Sequence, residues 1–78
     1  MITFTDIMQR MRLILQTQSG EQKIRDRDIA AALKLDAQYF AVIKRRNKIP
    51  YEALALFCKE HRISLNWLLF AQQPKKLT

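Results

Sequence analysis

The side chains at positions 38, 41, 42 and 45 have the most informative spacing in this sequence. Gln38, Ala41, Val42 and Arg45 recur at i, i+3, i+4 and i+7, which is one face of a helix. That face is odd for a solvated helix, because it sets two small apolar groups between two hydrogen-bonding side chains. An exposed β-branched group such as Val42 gains nothing in water. A basic run, Lys44-Arg45-Arg46-Asn47-Lys48, overlaps its end. Alone, such a run suits a helix C-terminus, where cations complement the dipole. The charge of the whole chain gives it a second meaning. Lys plus Arg number 14 against 7 Asp plus Glu, a net +7 in 9.3 kDa. That field favours polyanionic partners, nucleic acid first and an anionic membrane surface second.

Other chemistry is thinly represented. Cys58 and His61 stand at i and i+3, a spacing that suits two metal ligands or a thiol with its base. No second Cys or His completes either site, so Cys58 reads as a small core residue and His61 as a cation near a helix end. Asp26 and Asp28 read as capping residues in a first helical turn. There is no Gly-rich phosphate loop and no inward pair of carboxylates. The expectation is a non-enzyme with no metal, no cofactor and no evident small-molecule effector.

Composition points to helices as the elements that must position these residues. Hydrophobic residues make up 49% of the 78, enough for one packed domain. One Gly and two Pro are too few for turn-dense sandwiches or barrels. The lone cysteine forms no disulfide within the chain, which fits a reducing, cytoplasmic setting. The Met1–Asp6 start lacks the features of a signal peptide, and no stretch approaches the ~18 apolar residues of a membrane span.

Five helices follow from periodicity and punctuation. The first runs from about Thr5 to Gln18, with Phe4, Ile7, Met8, Met11, Ile14 and Leu15 on one face, Thr3 or Thr5 at its start and Gly20 after its end. The second spans about Asp26 to Lys34, with Ile29, Ala30 and Leu33 inward. The third spans Ala37 to Arg45, with Phe40 and Ile43 inward. Pro50 opens a fourth, to about Glu60, with Ala53, Leu54, Phe57 and Cys58 inward. Ser64 caps a fifth, Leu65 to about Ala71. Residues 1–71 then form the domain, and 72–78 a frayed basic tail.

Helices two and three with their minimal turn meet the spacing of a helix-turn-helix. Ala30 is the small mid-helix residue that permits a close crossing. Ile29 and Leu33 are the inward groups beside it, Leu35 is the apolar residue of the turn, and Phe40 and Ile43 hold the second helix.

With these residues in place the chain resembles the lambda-repressor-like DNA-binding domains, closest to the phage CI-type repressor helix-turn-helix group. The resemblance rests on Asp28-Ile29-Ala30-Ala31-Ala32-Leu33-Lys34-Leu35, on Asn47-Lys48-Ile49-Pro50, and on Ile63-Ser64-Leu65-Asn66-Trp67-Leu68-Leu69. It covers roughly residues 5 to 71. Two positions depart from the family pattern: Lys34 and Ala71 stand where Gly is usual. Many members also carry a C-terminal oligomerisation or peptidase domain, for which this chain has no room.

The resemblance implies an all-α bundle of five short helices with the third in the major groove. Gln38, Ala41, Val42 and Arg45 then face base edges. Gln38 suits a bidentate pair with adenine, and Ala41 or Val42 the thymine methyl. Arg25, Arg27, Tyr39, Lys44, Arg46 and Lys48 become phosphate contacts, with Arg45 able to share that role. Separately from the resemblance, spacing turns Leu65, Leu68 and Leu69 inward on the fifth helix and leaves Trp67 and Phe70 on its flank as homodimer contacts. The resemblance tucks Trp67 back against helix four and leaves Phe70 as the exposed anchor. The expected function is a transcriptional regulator of repressor type that binds double-stranded DNA. The competing class is a basic helical module, of antitoxin or anti-repressor type, that binds an acidic protein. Such a docking face favours aromatic anchors, which the third-helix stripe lacks.

Overall fold

The computed structural model describes residues 1–20 and 23–76. Its elements are α1 (Phe4–Ser19), α2 (Asp26–Ala32), α3 (Ala37–Arg45), α4 (Tyr51–His61) and α5 (Leu65–Phe70). Among the described residues there is no strand, only an isolated antiparallel bridge between Ile63 and Lys76.

Each helix begins and ends for a local reason. The Thr3 hydroxyl accepts the Asp6 N–H at 3.2 Å and starts α1. Gly20, at φ +75°, closes it in the left-handed region, where a residue without Cβ meets no penalty. At the start of α2 the Asp28 carboxylate reaches back to accept the Arg25 N–H at 2.9 Å. Asp36 caps α3, accepting the N–H groups of Gln38 and Tyr39. Ser64 caps α5 by accepting from Trp67.

The α2–α3 turn shows how the chain does without glycine. Lys34 takes φ +58°, its N–H bonds the Ala31 carbonyl, and the Leu35 N–H bonds the Ala30 carbonyl at 2.9 Å. This is the paired closure of a helix end. It ends α2 at Ala32, two residues short of the Lys34 that periodicity suggests. A left-handed L-residue costs roughly 1–2 kcal/mol, and Asn47, Arg62 and Ala71 repeat the conformation where α3, α4 and α5 end. The chain accepts this cost after α2, α3, α4 and α5, and avoids it after α1, where Gly20 stands.

The core is continuous. Phe4, Ile7, Met8, Met11 and Ile14 of α1 pack with Ile29, Ala30 and Leu33, with Phe40 and Ile43, with Leu54, Phe57 and Cys58, and with Trp67 and Leu68. Phe4 meets Phe40 edge to face at 5.5 Å, so the first helix bears directly on the third.

The C-terminal segment differs from the frayed tail expected. The Ser64 N–H donates to the Lys75 carbonyl at 2.8 Å, and the Lys75 ammonium lies 4.9 Å from the centre of the Trp67 ring. Residues up to Lys76 thus fold back over the α4–α5 turn. The expected tail's last two positions, Leu77 and Thr78, lie outside the described residues.

Candidate nucleic-acid interface

Two buried anchors set the rotation of α3. Phe40 and Ile43 are 4% and 1% exposed, which turns Gln38, Ala41 and Arg45 outward. Val42 is half-buried rather than fully outward. The four residues share the outer side of the helix, as their spacing predicts.

A hollow of about 460 Å³ lies beside this face. Its walls are Thr5 from α1, Asp26, Arg27 and Ala30 from α2, and Ala37, Phe40, Ala41, Lys44 and Arg45 from α3. Its lining mixes apolar Ala30, Ala37, Phe40 and Ala41 with the charged Asp26, Arg27, Lys44 and Arg45. The structure therefore brings Arg27 of α2 together with Ala41, Lys44 and Arg45 of α3. Ala37 and Thr5 join them without having been marked by the spacing.

Arg46 and Lys48 are exposed in the loop after α3. That loop is fixed by Asn47, whose side-chain carbonyl accepts the Phe4 N–H at 2.7 Å across 43 residues of sequence. Among the described residues, Arg25, Arg27, Arg45, Arg46 and Lys48 form no ion pair. Their charge faces solvent.

Lys44 differs from these cations. Its ammonium pairs with the Asp26 carboxylate, which also accepts from Arg12 at 2.7 Å. The hydrogen bond from Lys44, together with the Lys44 and Arg12 charges, holds the Asp26 carboxyl below its ordinary range despite partial burial. The place of Asp26 in the first turn of α2 suggests a capping residue and nothing more. Its partners lie 14 and 18 residues away, where no local spacing signals them.

Tyr39 is 47% exposed and lines a separate groove, with Lys34 and Leu35 of the turn and Tyr51 and Leu56 of α4. It stands apart from the Gln38–Arg45 stripe.

The aromatic pair expected on the α5 flank divides. Trp67 is 7% exposed and lies in the core beneath Lys75, so it presents no surface to a second copy. Trp67 is thus tucked into the core as the resemblance implies, and its use as a dimer contact is corrected, because the returning tail covers the indole. Phe70 is 57% exposed, beside Met1, Ile2 and Leu69. Arg10 fixes the end of α5, its guanidinium donating to the carbonyls of Leu68 at 2.6 Å and Leu69 at 3.0 Å.

The Cys58–His61 pair does not converge. Cys58 is buried, and burial pushes its thiol up to about 11, far from nucleophilic. His61 stacks on Phe57 at 4.2 Å and shares a hydrogen bond with Gln18 at 2.8 Å. Among the described residues, no group of three His, Cys, Asp or Glu is placed to hold a metal ion.

The bacteriophage CI repressor helix-turn-helix domain matches residues 21–76, more than half of the chain. The chain belongs to that family. The match runs from the segment before α2 through the folded-back tail, so the family pattern includes residues up to Lys76, beyond the boundary at 71 expected from sequence. As a CI-type helix-turn-helix domain it is a DNA-binding regulator of repressor type. Neither a curated protein nor a solved structure matches it. No helix among the described residues is long and apolar enough to cross a membrane.

Proposed function

We propose that this CI-type domain is a sequence-specific repressor that inserts α3 into the major groove of double-stranded DNA. The observation that carries the reading is the outer face of α3. Gln38, Ala41, Val42 and Arg45 stand on it, with Arg46 and Lys48, which form no ion pair among the described residues, just beyond. Gln38 presents an amide that pairs with adenine, and Ala41 and Val42 present carbon to a thymine methyl. Arg45 has the reach for a guanine edge. Arg46 and Lys48, with Arg25 and Arg27 at the start of α2, neutralise phosphates on either side and set the register. Tyr39, from the flank, offers its hydroxyl to the backbone.

A single domain of this size reads one half-site. We infer a two-fold dimer in which Phe70, exposed at the end of α5 and held there by Arg10, packs against its symmetry mate. Such a dimer places two recognition helices about one helical turn apart, roughly 34 Å.

Selection of bound sites from random duplex DNA tests the reading. The expected result is an enriched, two-fold symmetric site whose affinity falls steeply with salt. Recovery of unenriched sequence would overturn it. Sedimentation of the wild type and of Phe70→Ser tests the dimer. The wild type is expected to dimerise at micromolar concentration and the variant to remain monomeric.

A further inference from the structure

We propose that Asp26 is a positioning residue of the DNA interface: by joining Lys44 of α3 to Arg12 of α1, it fixes the rotation of the recognition helix. The inference rests on the proposed DNA-binding function.

A carboxylate in this place needs an explanation. Asp26 lines the cationic hollow beside α3, on the face that meets a polyanion. Electrostatics alone makes it a liability, and its removal should then tighten binding to every duplex. The geometry points the other way. One Asp26 oxygen accepts from Arg12 and the other from Lys44, so a single side chain of α2 ties together three helices. Arg12 is itself steadied by the Ile24 carbonyl, at 3.4 Å from its Nε.

The need for such a tie follows from how α3 is held. Phe40 and Ile43 anchor it by one apolar face. Two apolar anchors at i and i+3 resist withdrawal of the helix more than rocking about its own axis. Lys44 follows Ile43 directly and is, among the described residues, the α3 side chain fixed by an ion pair. Holding it sets where Gln38 and Arg45 point. The side chains of Arg12, Asp26 and Lys44 are 32%, 39% and 46% exposed. Ion pairs so exposed add little to stability, so the tie acts on orientation more than on folding.

The test compares the wild type, Asp26→Asn, Asp26→Glu and Lys44→Met on two duplexes, a selected site and its scrambled counterpart, over a range of salt. Freed from Asp26, Lys44 reaches phosphate. Asp26→Asn should then bind the scrambled duplex about 3-fold tighter, with a salt slope steeper by about one unit. The same variant should bind the selected duplex about 3-fold more weakly, because the readers lose their shared orientation. Asp26→Glu should restore most of the preference. Lys44→Met should reduce it as Asp26→Asn does, with the double variant no worse than either single one.

Equal tightening on both duplexes would show that Asp26 is merely a repulsive charge and overturn the inference. So would unfolding of Asp26→Asn at the assay temperature, or full preference in Lys44→Met. A wild type without preference removes the proposed function and this inference together. Preference retained in Asp26→Asn removes this inference alone.

Discussion

Two groups of cations in this small domain have opposite fates. Arg10 and Arg12 lie half-buried on α1 and are tied to the rest of the fold, the first by the α5 carbonyls and the second by Asp26 and the Ile24 carbonyl. Arg45, Arg46 and Lys48 lie at the end of α3 and form no ion pair among the described residues. Both groups are equally basic in the sequence. What separates them is whether an acceptor from another helix is within reach. The first group stabilises the bundle, and the second is left with its charge directed outward. A high net charge therefore does not measure the binding surface until the internally held cations have been set aside.

The largest expected effect concerns the scaffold on which both groups depend. Phe40→Ala empties a site buried against Phe4 and should cost about 3–5 kcal/mol, much of a small domain's stability. Chemical denaturation measures it. A loss under 1 kcal/mol would mean that α3 is not anchored as described, and the contrast between held and free cations would lose its frame.

Arg10→Ala separates the groups next. It removes two charge-assisted hydrogen bonds to carbonyls and should lower stability by about 1.5–3 kcal/mol. Below the unfolding range, its effect on affinity for scrambled DNA should be within about 2-fold, because its charge is not among those proposed to meet phosphate. Arg46→Ala should behave in reverse, with stability within about 0.5 kcal/mol of wild type. If Arg10→Ala instead flattens the salt dependence of binding, the division between the two groups fails.

The smallest effect is a pH dependence at Asp26, which joins a held cation to an α3 cation. The hydrogen bond from Lys44, with the Lys44 and Arg12 charges, holds the folded pKa of Asp26 below the ordinary aspartate range. The native state therefore binds this proton less readily than the unfolded chain does. The stabilisation is complete above the unfolded value and lost as pH falls through the folded one. Solvent screening keeps it under about 1 kcal/mol. Urea midpoints of wild type and Asp26→Asn should differ slightly at pH 7 and draw together as pH falls below the ordinary aspartate range. A gap that widens on acidification would reverse the sign assigned here.

Much of this arrangement was legible in the sequence, for identifiable reasons. The α3 bounds, Ala37 to Arg45, agree with expectation because inward Phe40 and Ile43 leave one rotation open and the basic run marks the end. The end of α2 was misjudged because periodicity cannot reveal that Lys34 adopts a left-handed backbone. The folded-back tail was missed because its attachment uses a backbone hydrogen bond from Ser64 and a cation over Trp67, neither of which polar composition discloses. Trp67 was placed on a flank by helical spacing, which knows nothing of the segment that covers it. The roles of Asp26 and Asn47 depend on partners far away in sequence, so the residues themselves gave no signal.

The most direct test is to measure Gln38→Ala and Arg46→Ala side by side on a selected duplex and its scrambled counterpart, at several salt concentrations. Gln38→Ala should lose about 1–3 kcal/mol on the selected site and almost nothing on the scrambled one, with its salt slope unchanged. Arg46→Ala should weaken both alike and reduce the salt slope by about one unit. If both variants lose equally on both duplexes, the outer face of α3 does not read bases, and the domain holds DNA through its free cations alone.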